Sequence, residues 1–299
     1  MEDNEKNPTA GFFQQVKPVQ LLLSIVVYCI GGGVDHYLGG DINWVNLLLG
    51  AGFVASMHLA YQFLLLYFDA QQNLLEPVSK LNRIQYLRHL LPLQLGMGFL
   101  TAAVVMVVLL LTQKTLILTT IVLLVIYLLS ILSLTVPPLR LEYSGYGELI
   151  QSVLISVIGP SIGFLLQTGE IHRILAMSVV PLAFLFIALF LALGLKSYAR
   201  DIHQEKKRFL LRVGWQRGVF IHNLFILLAY VLWGSASLVG FSWKVAFPVL
   251  LTLPVGIFQI WQVQKIVSGA KPNWVLLEWN AYGLLFLVTY LINYSLWIV

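Results

Sequence analysis

Nine separate runs of this chain stay apolar for long enough to cross a lipid hydrocarbon core as a helix. They fall at roughly 18–35, 43–68, 90–112, 115–134, 148–167, 173–195, 218–239, 244–264 and 278–298, where a core about 30 Å thick needs about 20 helical residues. In that solvent every backbone N–H and C=O has to be satisfied within the protein, which leaves only helices and closed barrels. The alternating segments of about ten residues that mark a barrel are not visible. The expectation is an all-α polytopic membrane protein with nine transmembrane helices. Composition agrees: 59% of the 299 residues are hydrophobic and thirteen are acidic, far too apolar for a solvated globular surface.

Lysine and arginine set the expected orientation. Fifteen lie in the N-terminal segment and in the loops after helices two, four, six and eight, whereas three, Lys114, Arg173 and Lys244, lie on the other side. The positive-inside rule then puts the N-terminus in the cytoplasm and the C-terminus outside. Residues 1–17 lack the pattern of a signal peptide and read as a retained cytoplasmic tail. Residues 18–299 read as a single nine-helix transmembrane domain, and the expected location is the inner (cytoplasmic) membrane of a prokaryotic cell. A formal net charge of +5 is what such basic loops produce, so it does not call for a nucleic-acid partner. One cysteine, Cys29, rules out a disulfide framework and a cysteine-based metal site.

Two helix ends on the same membrane face carry the candidate chemistry. After helix six, "SYARDIHQEKKRFLLRVG" concentrates charge between two apolar runs. Its basic residues alone are a topogenic anchor on anionic lipid. Asp201 and Glu205 are four apart, so on a helix continuing from the sixth run they share a face at ligand spacing for a hard divalent cation, or pair with Arg200, Lys206 and Lys207. Helix two ends in "YQFLLLYFDAQQN", with Asp69 and Asn73 again four apart. Mg2+ takes one or two carboxylates and completes its octahedron with water and substrate phosphate oxygens. Two acidic corners ringed by basic residues therefore suit a diphosphate on a greasy tail.

These segments resemble the UbiA-type intramembrane prenyltransferases, and most closely the branch that prenylates 1,4-dihydroxy-2-naphthoate in menaquinone biosynthesis. "RDIHQEKKRFLLRVG" is similar to that branch's second motif, and "VPPLRLEYSGYGELI" with the later "IGP" is similar to its segment between helices four and five. The resemblance covers nearly the whole chain. It implies transfer of a polyprenyl group from a polyprenyl diphosphate to an aromatic quinone precursor, with Mg2+ and basic groups stabilising the departing diphosphate. Carried over by position, it implies Asp69, Asp201 and Glu205 as catalytic carboxylates and Asp69, Asn73, Asp201 and Glu205 as metal ligands. Lys80, Arg83, Arg140, Lys206 and Lys207 would hold the diphosphate, and Tyr143, Tyr146 and Glu148 the acceptor side.

The first motif is degenerate. Where the family has Asn and Asp, this chain has Leu65 and Leu66, and Asn73 replaces the last Asp. Ser197 and Tyr198 stand where the family has an Asn pair. Those losses keep a second function in view: a non-catalytic isoprenoid- or quinone-binding, or structural, subunit of a larger membrane complex. A transporter is the third, but no pattern of ionisable residues at mid-membrane depth marks a translocation route.

Overall fold

The computed structural model describes residues 17–72, 83–113, 116–203 and 207–298. Nine helices among them are long and apolar enough to span a membrane. They are α1 Pro18–Tyr37, α2 Trp44–Gln72, α3 Arg83–Thr112 and α4 Leu118–Thr135, then α5 Gly147–Thr168 and α6 Arg173–His203. The last three are α7 Trp215–Val239, α8 Trp243–Val267 and α9 Trp274–Ile298. No strand occurs among the described residues. The protein is an all-α polytopic bundle.

Most helix ends extend beyond the apolar runs, although α2 and α4 begin slightly inside theirs. The sixth run stops near 195, yet α6 continues to His203; the ninth begins near 278, yet α9 starts at Trp274. Hydropathy marks the part of a helix at lipid depth, whereas the helix persists beyond it wherever packing and hydrogen bonds hold its polar turns. For α6 the extension is what carries Asp201 to its place.

Two packed cores meet along α1. One gathers α1 to α5 around Tyr28, Met57, Leu110, Tyr127 and Ile162. The other surrounds α6, whose Leu182, Phe186, Ala188 and Leu189 are buried in one cluster with residues of α7 and α9. Between the two, α1 and α5 approach with no side chain separating them. A Cβ added to Gly31 would lie 2.1 Å from the Pro160 carbonyl oxygen and 2.6 Å from the Phe164 nitrogen. Small residues at such a crossing let helices gain van der Waals contact in lipid, where no hydrophobic force drives them together.

Proline breaks in the spans are repaired locally. Pro160 supplies no N–H to the preceding turn, and α5 widens there into a π-helical stretch over Leu154–Ile158, a common accommodation in membrane helices. In α8 the helix breaks between Leu250 and Leu253. Thr252 Oγ1 donates to the Val249 carbonyl at 2.7 Å and lies 2.7 Å from the Tyr230 hydroxyl, so the freed polar groups stay paired.

Candidate active site

Three segments build the site at one end of the bundle: the end of α2, the connection from α4 to α5, and the return from α6 to α7. In the α4–α5 connection, Arg140 sits in the left-handed region at φ 37, a strained conformation for a residue with a side chain. A 3-10 turn, Leu141–Tyr143, follows, and Gly147 lets it fold against the start of α5. A Cβ there would stand 2.6 Å from the Glu142 Cα. That close approach is the physical reason for glycine in "GYGEL".

The α6–α7 return is pinned by one leucine. The one-turn helix Phe209–Val213 drops Leu210 into space left by two glycines: Cβ atoms on Gly194 and Gly218 would lie 3.3 Å and 2.1 Å from its side chain. Gly214, at φ 83, then turns the chain into α7. Residues Ser144 and Lys207 form a single parallel β-bridge, which joins this return to the α4–α5 connection. Arg212 reinforces the seam, donating to the Ser144 carbonyl at 3.0 Å and lying 4.0 Å over the Tyr146 ring.

Asp69 and Asp201 each meet an arginine here. At the end of α2, Asp69 pairs with Arg140 through Oδ1 and accepts from the Tyr143 hydroxyl at 2.5 Å through Oδ2. Burial first, and the Asp69 charge next, raise the Tyr143 pKa, so the phenol keeps the proton that it donates. On α6, Asp201 is 2% exposed. Its Oδ2 accepts from Ser197 Oγ at 2.5 Å, one helical turn back, and lies 3.3 Å from Arg208 Nε. Its Oδ1 is buried without a hydrogen-bond partner among the described residues.

A second acidic pair lies between the two arginine-bound corners. Glu148 accepts from the Phe209 backbone N–H at 3.1 Å. Glu142 accepts from Gln151 Nε2 at 2.5 Å, and the same amide donates to the Tyr61 hydroxyl at 2.7 Å. Burial, with the Glu148 charge behind it, pushes the Glu142 pKa up to about 7, against partial relief from Lys17 and Arg208. Arg208 is the hub. Burial works against its charge, but Asp201, then Glu142 and Glu148, hold its pKa above the ordinary value. Tyr143 feels Asp69, Glu142 and Arg208 alike, so both corners belong to one electrostatic neighbourhood.

The sequence-derived residues divide accordingly. Asp69, Asp201, Arg140, Tyr143 and Glu148 converge on this junction. Lys207 is exposed beside it, and Tyr146 is 45% exposed beneath Arg212. Arg83 opens α3. Asn73, Lys80, Glu205 and Lys206 lie outside the described residues. Sequence reasoning missed Arg208, Glu142, Gln151 and Tyr61. Arg208 was one cation among several in its loop, and nothing in the sequence singles out Leu210 as the anchor that places it. Glu142 directly precedes Tyr143, but a buried acid in a loop has no spacing signature.

No group of three or more His, Cys, Asp or Glu able to hold a metal occurs among the described residues. The donor set fits a hard divalent cation at one point, the unpartnered carboxylate oxygen of Asp201, since an anionic oxygen buried without a donor is costly unless a cation meets it.

No protein-family model matches the chain, and no curated protein matches it. Solved structures do. A UbiA homolog from Archaeoglobus fulgidus bound to GPP and Mg2+ is 14% identical at a TM-score of 0.61. The same homolog bound to DMAPP and Mg2+ is 14% identical at 0.62, and bound to Cd2+ it is 13% identical at 0.60. Each comparison covers 92% of this chain and 96% of the archaeal one. The nine-helix architecture is therefore that of the UbiA homologs.

Proposed function

We propose that this chain is a UbiA-type intramembrane prenyltransferase of the menaquinone-like branch. It transfers a polyprenyl group from a polyprenyl diphosphate to an aromatic quinone precursor such as 1,4-dihydroxy-2-naphthoate. One observation carries the reading: two helix-end aspartates, Asp69 and Asp201, stand with arginines at one end of a bundle whose structural neighbours bind GPP or DMAPP with Mg2+. The excess of basic residues on the loops at this end supports a site at the cytoplasmic face.

The reaction breaks the allylic C–O bond, and its electron pair leaves with the diphosphate. The acceptor ring supplies the pair for the new C–C bond and regains aromaticity when the attacked carbon releases a proton or, where it bears the carboxylate, carbon dioxide, leaving that bonding pair in the ring. Most of the protein's contribution is stabilisation of the leaving charge by preorganised donors. Bound Mg2+ supplies Lewis-acid stabilisation of the phosphate oxygens, held through Asp201 with Asp69, Asn73 and Glu205 assisting. Arg140 and the basic residues Lys80, Arg83, Lys206 and Lys207 attract and orient the diphosphate. Tyr143, Tyr146 and Glu148 face the acceptor side.

The test is prenyl transfer to 1,4-dihydroxy-2-naphthoate by purified protein, using geranylgeranyl or longer diphosphates, with Mg2+ or with EDTA. Mg2+-dependent product supports the reading, and activity indifferent to EDTA contradicts it. Leu65 and Leu66, half-buried where the family places polar motif residues, favour a second reading, a non-catalytic isoprenoid- or quinone-binding subunit. Co-purification with a membrane complex at fixed stoichiometry, without metal response, distinguishes it.

A further inference from the structure

Twelve buried side-chain nitrogen or oxygen atoms lack a hydrogen-bond partner among the described residues, and those on charged side chains are three: Arg140 Nε, Arg208 Nε and Asp201 Oδ1. All three belong to the junction described above. Buried polar atoms are almost always paired in folded proteins, and a charged group left short of partners costs more than a neutral one. Two of the orphans are donors and one is an anionic acceptor. A ligand that completes all three brings acceptor oxygens to the two arginines and a donor or a cation to the carboxylate, a combination that a metal-bound diphosphate offers.

The arginines also obstruct the metal. Asp69 offers Oδ1 to Arg140 and Oδ2 to the Tyr143 hydroxyl. Asp201 shares Oδ2 between Ser197 and Arg208, so a cation approaching Oδ1 meets a guanidinium on the same carboxylate. Like charges at this range repel strongly in a partly dry site. A diphosphate faces the opposite situation. It is attracted by both guanidiniums and can draw Arg208 off a contact whose Nε–H makes no formed hydrogen bond.

We propose that the site loads in a fixed order: the diphosphate binds first, Arg208 exchanges the Asp201 carboxylate for a phosphate oxygen, and the oxygens thereby released receive the metal. Arg208 is then the gatekeeper of the metal seat and a direct ligand of the anion. The inference rests on the proposed diphosphate-using function of this site and adds to it which partner comes first.

Isothermal titration of the full chain in detergent tests it, with Mn2+ alone, inorganic pyrophosphate alone in EDTA, and each in the presence of the other. Pyrophosphate binds in EDTA, Mn2+ alone binds weakly, and Mn2+ affinity rises once pyrophosphate is present. Arg208→Gln lowers pyrophosphate affinity in EDTA by about tenfold to a hundredfold, the range expected for a lost charge-assisted hydrogen bond. The same variant raises the affinity for Mn2+ alone. A merely structural arginine would weaken both ligands, and Arg208→Lys, which keeps the charge, retains part of the pyrophosphate affinity. The proposal is overturned if Mn2+ alone binds as tightly as it does with pyrophosphate, or if Arg208→Gln leaves pyrophosphate binding unchanged. Absence of binding by pyrophosphate and by GPP, with or without Mn2+, instead removes the diphosphate-using function itself.

Discussion

Glu142→Gln should change how the stability of this protein depends on pH. The Glu142 carboxyl is 9% exposed, accepts from Gln151, and has its pKa pushed from 4.5 to about 7, by burial first and by Glu148 second. The folded chain therefore holds this proton more tightly than the unfolded chain does. Protonated, the group favours folding. Its contribution is full below pH 4.5 and is lost as the pH rises through 7. At about 1.4 kcal/mol per pH unit, the span from 4.5 to 7 amounts to about 3 kcal/mol. Glutamine keeps the oxygen that Gln151 donates to and cannot ionise. Thermal unfolding followed by tryptophan fluorescence in detergent, at one scan rate, reads the effect. Relative to the unmodified protein, Glu142→Gln should gain about 5 °C in Tm between pH 5 and pH 8, the part of that span titrated in this window, at about 2 °C per kcal/mol for a chain of this size. A Tm difference that stays flat across that range would refute the reasoning, because it would mean that Glu142 ionises as easily in the fold as in water.

Asp201→Asn should abolish Mg2+-dependent prenyl transfer, a loss of a hundredfold or more on the scale of a removed charge stabiliser, measured with radiolabelled prenyl diphosphate. Gly31→Ala should destabilise the bundle by about 1–3 kcal/mol through overpacking, since its methyl would meet the Pro160 carbonyl oxygen at 2.1 Å and no rotamer can relieve a backbone contact; a lower Tm with the pH profile unchanged is the expected outcome. Lys196→Met should cost under about 1 kcal/mol, because the Lys196–Glu278 pair at 2.7 Å is 49% and 38% exposed, and an equal Tm checks it.

The helices were legible because lipid imposes length and polarity so strictly that nine runs and nine spans coincide. The continuation of the sixth run as helix through Asp201 was legible as well, and α6 runs on to His203, while Glu205, four residues beyond Asp201, lies outside the described residues. What stayed hidden depends on the return of the chain. Arg208 reaches Asp201 because Leu210 fits against Gly194 and Gly218, and three apolar positions spread over 25 residues carry no pattern in one dimension. The buried trio of Tyr61, Glu142 and Gln151 is assembled from α2, a 3-10 turn and α5, so no local window contains it.

The crossing of α1 over α5 has a mechanical corollary. With carbonyl oxygen and amide nitrogen touching the Gly31 position directly, the two rods interlock like toothed rails, and neither can slip along the other without prising the pair apart. Any sideways opening of the bundle must then come from the outer staves, α3 and α4, whose valine- and leucine-rich flanks are exposed and which are the least buried of the nine spans.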